Sequence, residues 1–327
     1  MSDSVATQPG ARGAGAFDGR FWSVILGGSS GFGLATAHKL SRHGMNLCLV
    51  HRDRRSALAR IEEEFAAIRS RGVRLLTFNC DATAADARAK VIGELRAALG
   101  PGESVRMLLH SIAFGNLKPL APGPRAAAAP PAAVDRLAER LGVPAERLVQ
   151  TAQELAAAGV DGLEALTPAP PQPDGTLGED DFAHTIHAMG TSLVGWVQGL
   201  LEAGVFAPDA RVLSMTSEGN TVAWRGYAAV SAAKVALEAV SRSLALECAP
   251  LGLRANVVQA GVAETPALKL IPGADRLAGS ARQRNPFGRL TTPADVADVI
   301  YLLCLDEAAW INGTIIRVDG GEHIAGV

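Results

Sequence analysis

Short apolar runs alternate with amphipathic stretches along most of the chain. The apolar runs predict seven β-strands, at Trp22–Leu26, Asn46–Val50, Val73–Asn79, Val105–His110, Val212–Met215, Ala255–Val258 and Thr314–Val318. Stretches with helical periodicity lie between most of them, at Leu34–Arg42, Ala57–Ser70, Ala84–Leu99, Ser231–Glu247 and Val296–Cys304. This alternation is typical of a parallel sheet with helices on both faces. It predicts an α/β fold of the doubly wound, Rossmann-like class, with residues 21–327 as a single domain.

One stretch, at about residues 119–178, interrupts this pattern after the fourth predicted strand. It is rich in alanine and proline at both ends, and two helices are predicted between those ends, at about Ala132–Leu141 and Pro144–Ala158. Leucines at helical spacing can give these helices apolar faces, namely Leu137, Leu141, Leu148 and Leu155. We interpret the stretch as an inserted helical hairpin with proline-rich hinges. A partly disordered linker is the alternative.

Composition narrows the class of protein. Hydrophobic residues make up 48% and charged residues 20% of the 327 residues, which allows a substantial core. The formal net charge of -2 gives no basic field for nucleic acid or an anionic membrane. The four cysteines lie far apart, which favours reduced thiols over a disulfide framework or a metal site. The Gly, Ala and Ser content of residues 1–20 predicts a mobile tail, and this stretch lacks the features of a signal peptide. No apolar run is long enough to cross a bilayer. We therefore expect a cytoplasmic protein.

A glycine-rich turn connects the first predicted strand to the first helix. Glycines at this point permit a tight turn and a close approach of the backbone to a pyrophosphate, and the following helix N-terminus offers free N–H groups. An ordinary strand-to-helix turn is the alternative. We expect a dinucleotide here, in contact with Gly27, Ser29, Ser30, Gly31, Phe32 and Gly33.

The ends of the second and third strands bear on the choice of dinucleotide. Arg52 can neutralise a 2′-phosphate and stack on adenine, which favours NADPH over NADH. Asp53 leaves NADH as the alternative, because its carboxylate can bind the ribose hydroxyls of that cofactor. Asp53 can also simply pair with a neighbouring arginine. Asp81, with Ala82, can accept a hydrogen bond from the adenine amino group. The alternative role for Asp81 is the N-cap of the next helix.

A tyrosine and a lysine, Tyr227 and Lys234, lie seven positions apart at the start of a predicted helix. Seven residues are close to two turns of 3.6 residues, so both side chains can share one face. The phenol can donate a proton or hydrogen bond to a developing oxyanion, and the ammonium can hold a sugar. A packing aromatic is the alternative for Tyr227.

These segments, in this order, resemble the short-chain dehydrogenase/reductase family. Most members place the tyrosine four residues before the lysine, where this chain has Val230. The seven-residue spacing resembles instead the divergent branch that reduces enoyl-acyl-carrier-protein. Further segments that resemble this branch are Leu109–Phe114, with its His-Ser-Ile, and 265–269, 281–289 and 318–321. The likeness covers roughly residues 22–118 and 180–325.

The resemblance implies an NADPH-dependent reductase of the double bond of a trans-2-enoyl thioester, carried by acyl carrier protein or coenzyme A. It implies that Tyr227 stabilises the enolate and that Lys234 holds the nicotinamide ribose. It also places further cofactor contacts at Ser111, Ile112, Ala113, Gly261, Ala263 and Thr265. We expect a homo-oligomer, a tetramer or a dimer, with no metal and with no nucleic-acid or membrane partner.

Two positions depart from the enoyl reductase pattern. Ser217 stands ten residues before Tyr227, where some enoyl reductases have a second tyrosine, and matches the catalytic serine of ketone-reducing members. His187 falls about where those members have a structural asparagine. The alternatives are a turn or capping serine for Ser217 and a satisfied histidine on a helix face for His187. The mixed pattern keeps a carbonyl or 3-oxoacyl reductase as the alternative function, and a non-catalytic cofactor-binding scaffold as a second alternative.

Overall fold

The computed structural model describes residues 16–122, 132–157, 160, 162–163, 166–167, 175–271 and 273–325. The predicted proline-rich hinges lie largely outside the described residues, at 123–131 and 168–174, as do residues 1–15 of the predicted tail.

Seven parallel strands form one sheet in the order β3-β2-β1-β4-β5-β6-β7. The strand order reverses between β1 and β4, and in such a sheet ligands bind beyond the carboxyl ends of the strands at this point. This confirms the predicted doubly wound fold. The strands are β1 (Phe21–Leu26), β2 (Asn46–His51), β3 (Leu75–Asn79), β4 (Ser104–His110), β5 (Phe206–Ser217), β6 (Leu253–Ala260) and β7 (Ile315–Val318).

Helices cover both faces of the sheet. Apolar side chains of α3, α7 and α8 pack on one face, and those of α1, α2 and α10 pack on the other. The helices are α1 (Gly31–Arg42), α2 (Leu58–Arg69), α3 (Ala85–Ala98), α4 (Ala132–Leu141), α5 (Ala145–Ala157), α6 (Glu179–Ile186), α7 (Ser192–Glu202), α8 (Ala228–Glu247), α9 (Ala274–Arg284) and α10 (Pro293–Cys304). No helix among the described residues has both the length and the apolarity needed to span a membrane.

The hydrophobic pattern did not predict α6, α7 or α9. The glycines in and just before α7 lower the helix propensity of this stretch, but they allow neighbouring helices to pack closely against it. A Cβ atom at Gly190 would lie 2.9 Å from the carbonyl oxygen of Ala233 on α8, and one at Gly199 would lie 2.7 Å from Ile92 on α3. Packing of the largely apolar α7 between its neighbours therefore compensates for the weak local signal.

The packed part of the chain begins earlier than the predicted tail boundary at residue 20. Phe17 is buried, and its backbone N–H donates to the carbonyl oxygen of His43 at 2.9 Å. Its ring meets the ring of Tyr301 edge-on, with centroids 6.1 Å apart. The apolar Phe17 ring was overlooked because the Gly, Ala and Ser content of the segment dominated the prediction.

The two helices predicted within the insertion are present as α4 and α5, which pack against each other. Their buried side chains are Val134, Ala138 and Ala152. Of the four predicted leucines, Leu148 is partly buried, and Leu137, Leu141 and Leu155 are 37%, 58% and 43% exposed.

The two ends of the insertion meet at its base. The backbone N–H of Leu177 donates to the carbonyl oxygen of Pro119 at 2.9 Å. Just outside this pair, the ammonium of Lys118 contacts the Asp181 carboxylate at 2.9 Å. The insertion is therefore a closed excursion from the loop after β4.

Candidate active site

The glycine turn after β1 brings three backbone segments into close contact. Gly27 has a φ of +88°, and a Cβ atom there would lie 2.4 Å from the carbonyl oxygen of Ser111 after β4. A Cβ atom at Gly33 would lie 2.1 Å from the carbonyl oxygen of Gly27. No larger residue fits at either position. The turn therefore holds the N-terminus of α1 at the edge of a cleft.

This cleft has a volume of about 300 Å³ and lies beyond the carboxyl ends of β1 to β4. The side chain of Ser30 at the N-cap of α1 makes no capping hydrogen bond, so it leaves the first-turn N–H groups to other partners. A narrow glycine cradle beside such a helix end fits a pyrophosphate. Most of the predicted cofactor contacts line the cleft: Gly27, Ser29, Ser30, Gly31, Phe32, Arg52, Asp81, Ala82, Ser111, Ile112, Ala113 and Thr265.

Arg52 is held in place at the end of the cleft beside β2 and β3. Its guanidinium contacts the Asp81 carboxylate at 2.7 Å and lies 4.3 Å from the ring centroid of Phe114. Burial would raise the pKa of Asp81, but hydrogen bonds from Thr83 and Arg52 hold that pKa below its usual range. The N-cap of α3 is Ala84, so the alternative capping role of Asp81 does not apply.

Asp53 also lines the cleft, and its carboxylate is paired with a histidine. Its carboxylate contacts Nδ1 of the buried His51 at 2.8 Å, and its backbone N–H donates to the Asn79 side chain at 3.0 Å. Of the two roles left open for Asp53, pairing with an arginine is not seen among the described residues, where the carboxylate contacts His51. This leaves Arg52 as the charged group of the β2 end that faces Asp81.

A second cavity of about 250 Å³ adjoins the cleft and shares with it a wall formed by residues 111–114 and by Thr265. Its lining is mostly apolar, with Leu117, Met189, Met215, Trp224, Val230, Ile271 and Leu277 among the residues that form it. Three polar groups of predicted function face the same space, namely Ser217, Tyr227 and Lys234. Gly261 and Ala263 line this cavity as well, whereas Gly33 supports the turn from behind. The arrangement suits an apolar group with one polar reacting end.

Tyr227 occupies the N-cap position of α8 and is only 9% exposed. Its ring packs edge-on against Trp224 at 5.4 Å, and a Cβ atom at Gly219 would lie 2.4 Å from its Cε1 atom. Burial raises the pKa of Tyr227, and the facing Ser217 hydroxyl opposes this rise only in part. The phenol is therefore neutral at pH 7 and available as a hydrogen-bond donor.

Lys234 lies two turns further along α8 and is 6% exposed. Its ammonium donates to the carbonyl oxygen of Met215 at 2.8 Å. Burial lowers the pKa of Lys234 to about 8, and the nearby Glu238 carboxylate acts in the opposite direction. The side chain remains largely protonated at pH 7.

Glu238 is a site residue that the sequence reasoning missed. It is buried one turn after Lys234, and one carboxylate oxygen accepts hydrogen bonds from Thr216 at 2.6 Å and from Asn220 at 2.7 Å. Thr216 and Asn220 flank the short segment that carries Ser217, so Glu238 fixes this segment to α8. Its spacing of four residues from Lys234 on a helix was the signal that could have found it.

Ser217 ends β5, and its buried hydroxyl has no hydrogen-bond partner among the described residues. It makes no side-chain cap on the short 3-10 turn that follows, so the alternative capping role does not apply. Because the hydroxyl faces Tyr227 without a hydrogen bond of ordinary geometry, it is available to a ligand.

His110 and His187 differ in their surroundings. Burial, together with the charge of Lys234, lowers the pKa of His110 to about 3, so this ring is neutral and contacts the Ser192 hydroxyl at 2.9 Å. His187 begins a π-helical turn before α7, and its ring nitrogens contact Thr83 at 3.5 Å and Thr191 at 3.4 Å. It lines neither cavity, which agrees with a satisfied helix-face histidine.

Among the described residues, no group of three or more His, Cys, Asp and Glu side chains is arranged to hold a metal ion.

Two family models match the chain. Residues 145–323 match a family described as enoyl-(acyl carrier protein) reductase, and residues 22–121 match the short chain dehydrogenase family. Together the two matched segments include the glycine turn, the β4 end, Ser217, Tyr227 and Lys234.

Curated relatives are similar over part of their length. An NADH-dependent enoyl-[acyl-carrier-protein] reductase of Aquifex aeolicus is 41% identical over 101 residues, which cover 31% of this chain and 37% of that protein. A 3-oxoacyl-[acyl-carrier-protein] reductase of Escherichia coli is 36% identical over 114 residues, 35% of this chain and 46% of that protein. An uncharacterized oxidoreductase of Bacillus subtilis is 37% identical over 113 residues, 35% and 43% respectively. The chain thus spans less than half the length of these relatives.

Solved structures share the fold over nearly the whole chain. The enoyl-[acyl-carrier-protein] reductase (NADH) of Aquifex aeolicus has a TM-score of 0.70 at 22% identity, with 96% of this chain and 100% of that chain covered. A short chain dehydrogenase of Burkholderia cenocepacia in complex with NADP has a TM-score of 0.65 at 20% identity, with 94% and 99% covered. At such identities the likeness concerns the fold.

Proposed function

The chain belongs to the enoyl-acyl-carrier-protein reductase-like branch of the short-chain dehydrogenase/reductase superfamily, and we propose that it reduces the double bond of a trans-2-enoyl thioester with NADPH. The observation that carries the proposal is the seven-residue spacing of Tyr227 and Lys234 with both side chains facing one apolar cavity. Acyl carrier protein or coenzyme A as the carrier of the acyl group, assembly into a tetramer or dimer, and a cytoplasmic location belong to the same proposal.

The cleft beside the glycine turn supports the binding of a nicotinamide dinucleotide. Gly27 and Gly31, with the N-terminus of α1, would hold the pyrophosphate, and Asp81 would accept from the adenine amino group. When bound, the cofactor supplies a hydride to the β carbon of the substrate. The shared wall formed by residues 111–114 and Thr265 lies between the cleft and the apolar cavity, where the two reactants must meet.

Tyr227 is proposed to stabilise the charge that develops during the reduction. Hydride addition to the β carbon places negative charge on the thioester oxygen as an enolate, and a neutral buried phenol donates a strong hydrogen bond to it. Because the ring is held between Trp224 and the Gly219 backbone, its hydroxyl needs little reorganisation as the charge forms. The surrounding apolar wall excludes water and strengthens this contact.

Lys234 is proposed to hold the nicotinamide ribose. Its ammonium is fixed by the Met215 carbonyl on one side, which leaves two N–H donors for sugar hydroxyls. Its positive charge also favours anionic character at the nearby reacting oxygen. Glu238 balances this buried charge from the next turn of α8.

NADPH as the preferred cofactor rests on Arg52. The guanidinium already lies at the β2 end, stacked on Phe114, and a 2′-phosphate there would add a charge-assisted contact. The same guanidinium is paired with Asp81, so the phosphate must compete with this carboxylate. The NADH noted for the Aquifex relative and the NADP bound to the Burkholderia structure leave both cofactors to be compared by experiment.

A carbonyl or 3-oxoacyl reductase is the second candidate function, and Ser217 is the observation that favours it. Its unpaired hydroxyl faces Tyr227, so the two groups can both donate to one carbonyl oxygen. Hydride would then add to the carbonyl carbon, and Tyr227 would deliver a proton to the resulting alkoxide.

A substrate panel separates these functions. The full chain is incubated with NADPH or NADH and with trans-2-enoyl thioesters of several chain lengths, 3-oxoacyl thioesters and simple ketones, and the loss of reduced cofactor is followed by absorbance. Turnover of the enoyl thioesters supports the proposal, whereas turnover of ketones alone assigns the second function. Tight cofactor binding without any turnover supports a non-catalytic scaffold.

A further inference from the structure

One wall of the apolar cavity is formed by a segment that runs from Thr265 to the end of α9, here called the cap segment (its described residues are 265–271 and 273–284). It contributes Leu268, Leu270, Ile271 and Leu277 to the cavity lining. Its last residue, Arg284, is not part of the lining, and its guanidinium contacts Glu218 just after the end of β5.

Arg284 connects the cap segment to that wall with two hydrogen bonds. Its Nη1 and Nη2 atoms contact the two carboxylate oxygens of Glu218 at 3.1 and 3.2 Å. Glu218 follows Ser217 directly, lines the cavity and is itself largely buried. The two-pronged geometry fixes both the distance and the orientation of the paired groups, as a single contact does not.

A third contact extends this connection to the C-terminal segment. Nη2 of Arg284 also contacts Glu322 at 3.1 Å, and the other oxygen of Glu322 accepts from the backbone N–H of Val262 at 3.2 Å. Glu322 is 2% exposed. Val262 precedes the cap segment and lines the cavity, so Glu322 connects Arg284 to the backbone just before that segment.

We propose that Arg284 is a positioning residue that holds the cap segment against the Ser217–Glu218 wall and thereby sets the width of the acyl cavity. This inference rests on the proposed function for its kinetic consequences. Its structural part, the anchoring of residues 265–284, is a property of the free protein.

The energy of the Arg284 ion pairs favours a role in positioning the cap segment over a role in stabilising the whole fold. Burial of a guanidinium with two carboxylates costs desolvation energy that largely offsets the attraction between the charges. Burial also raises the pKa of Glu322 to about 7, with the charges of Glu218 and Asp319 acting in the same direction and Val262 and Arg284 acting against it. At neutral pH, Glu218 is therefore the main anionic partner of Arg284, and the two-pronged pair at the cavity wall persists.

The experiment compares Arg284→Met with Arg282→Met. The first change keeps an apolar stem and removes the charge at the cavity wall. The second removes the same charge from the same helix, at a residue whose contacts include the exposed Glu264 at 3.4 Å and not Glu218. Amide hydrogen exchange of the peptides covering residues 265–284 is measured for both variants and for the parent without substrate.

Faster exchange of the cap peptides in Arg284→Met, by about tenfold or more, is the expected result, with peptides of α1 and α3 unchanged. In the presence of saturating NADPH, the KM for a turned-over thioester or ketone should rise about tenfold while kcat stays within about twofold. Arg282→Met should match the parent in both measurements. Glu218→Gln should reproduce the changes of Arg284→Met, and the double variant should add little to either single one.

Two outcomes overturn the inference: cap peptides that exchange at the parental rate in Arg284→Met, or a fall in kcat with KM unchanged. If no substrate is turned over, the proposed function fails while the exchange measurement still decides on Arg284. If Arg284→Met does not fold, Arg284→Lys replaces it, because lysine keeps the charge and loses the two-pronged contact. Parental exchange and KM in that variant would likewise overturn the inference.

Discussion

The ring of Tyr227 rests directly on the backbone of Gly219, where a Cβ atom would lie 2.4 Å from the Cε1 atom of the ring. The next-nearest group to such a Cβ atom, apart from other ring atoms of Tyr227, is Trp224 at 3.0 Å, so the ring could not stay in place. Gly219 therefore determines where the phenol hydroxyl points.

Gly219→Ala should displace the phenol and lower kcat by about 10- to 100-fold, because a shift near 1 Å in a reacting group has such effects. NADPH affinity should change little, since the cleft is formed by other residues. Gly93→Ala is the matched control, because Gly93 lies within α3 with nothing within 4 Å of the added methyl group. That change should leave kcat intact and raise the free energy of unfolding by about 0.5–1 kcal/mol. Equal kcat in Gly219→Ala and the parent would contradict the proposed position of the donor.

Tyr227→Phe should lower the rate of reduction by about 10²–10³-fold and keep NADPH binding, since only the donor to the developing oxyanion is removed. Steady-state kinetics and cofactor titration by fluorescence provide the two measurements. Ser217→Ala is made in parallel. If Tyr227→Phe retains the parental rate and Ser217→Ala does not, the donor role belongs to Ser217.

The buried ammonium of Lys234 predicts opposite pH dependences of stability and of cofactor binding. Its pKa is about 8 in the folded protein against a reference of 10.5, so between these values the unfolded chain binds a proton that the folded chain lacks. The contribution of Lys234 to the free energy of unfolding therefore rises as pH increases from about 8 to 10.5. NADPH binding should weaken over the same range, because the ammonium that holds the ribose loses its proton.

Denaturant unfolding and NADPH titration from pH 7 to 10, in the parent and in Lys234→Met, test this prediction. The difference in unfolding free energy between the two proteins isolates this side chain from other groups that titrate. Lys234→Met should bind NADPH more weakly than the parent at pH 7. A stability difference that is independent of pH would mean that Lys234 is not the group that titrates near 8.

Arg52→Ala should weaken NADPH binding much more than NADH binding, so that the Kd for NADPH divided by the Kd for NADH rises about tenfold or more. Loss of the charge-assisted contact to the additional phosphate is the reason. Arg60→Ala on α2 removes an equal charge from an exposed position nearby and serves as the control. An unchanged ratio in Arg52→Ala would remove the basis for NADPH preference.

Replacement of residues 120–176 by two or three Gly/Ser residues should give a folded protein that binds NADPH, because Pro119 and Leu177 are already hydrogen-bonded to each other. The return leg of the insertion touches α9, where Arg276 donates to the Thr167 hydroxyl at 2.9 Å. We therefore expect a changed KM and a changed chain-length preference for acyl thioesters. A shortened variant with the parental substrate profile would mean that the insertion has no part in substrate entry.

Local sequence patterns sufficed for the sheet and for the residues that act through their backbone. The seven strands follow from apolar runs, and the cradle around Gly27 follows from a requirement for glycine that is visible within a few residues. The first part of β5 was missed because Pro208 and Asp209 read as a loop. Its pairing with β4 and β6 is a tertiary effect that overrides this local preference.

Contacts between distant side chains were not predictable in the same way. Arg284 finds Glu218 and Glu322 at separations of 66 and 38 positions, and any of the chain's many charged residues was an equal candidate in the sequence. In the sequence, Glu238 looks like any charged residue on the solvent-exposed side of a helix, and only the structure shows that it is buried. The pairing of Asp53 with His51 depended on which way the carboxylate turned, which the strand pattern leaves undetermined.

The closed base of the insertion also has a consequence for how the chain folds. β4 and β5 pair in parallel across residues 111–205, and such a non-local pairing raises the contact order and slows folding. The contacts of α4 with α5 are local, and once Pro119 meets Leu177 the effective loop between the strands is much shorter. Each doubling of the length of a flexible loop costs only about 0.6 kcal/mol in closure entropy. An insertion that closes on itself therefore adds little to the free energy of the folding transition state.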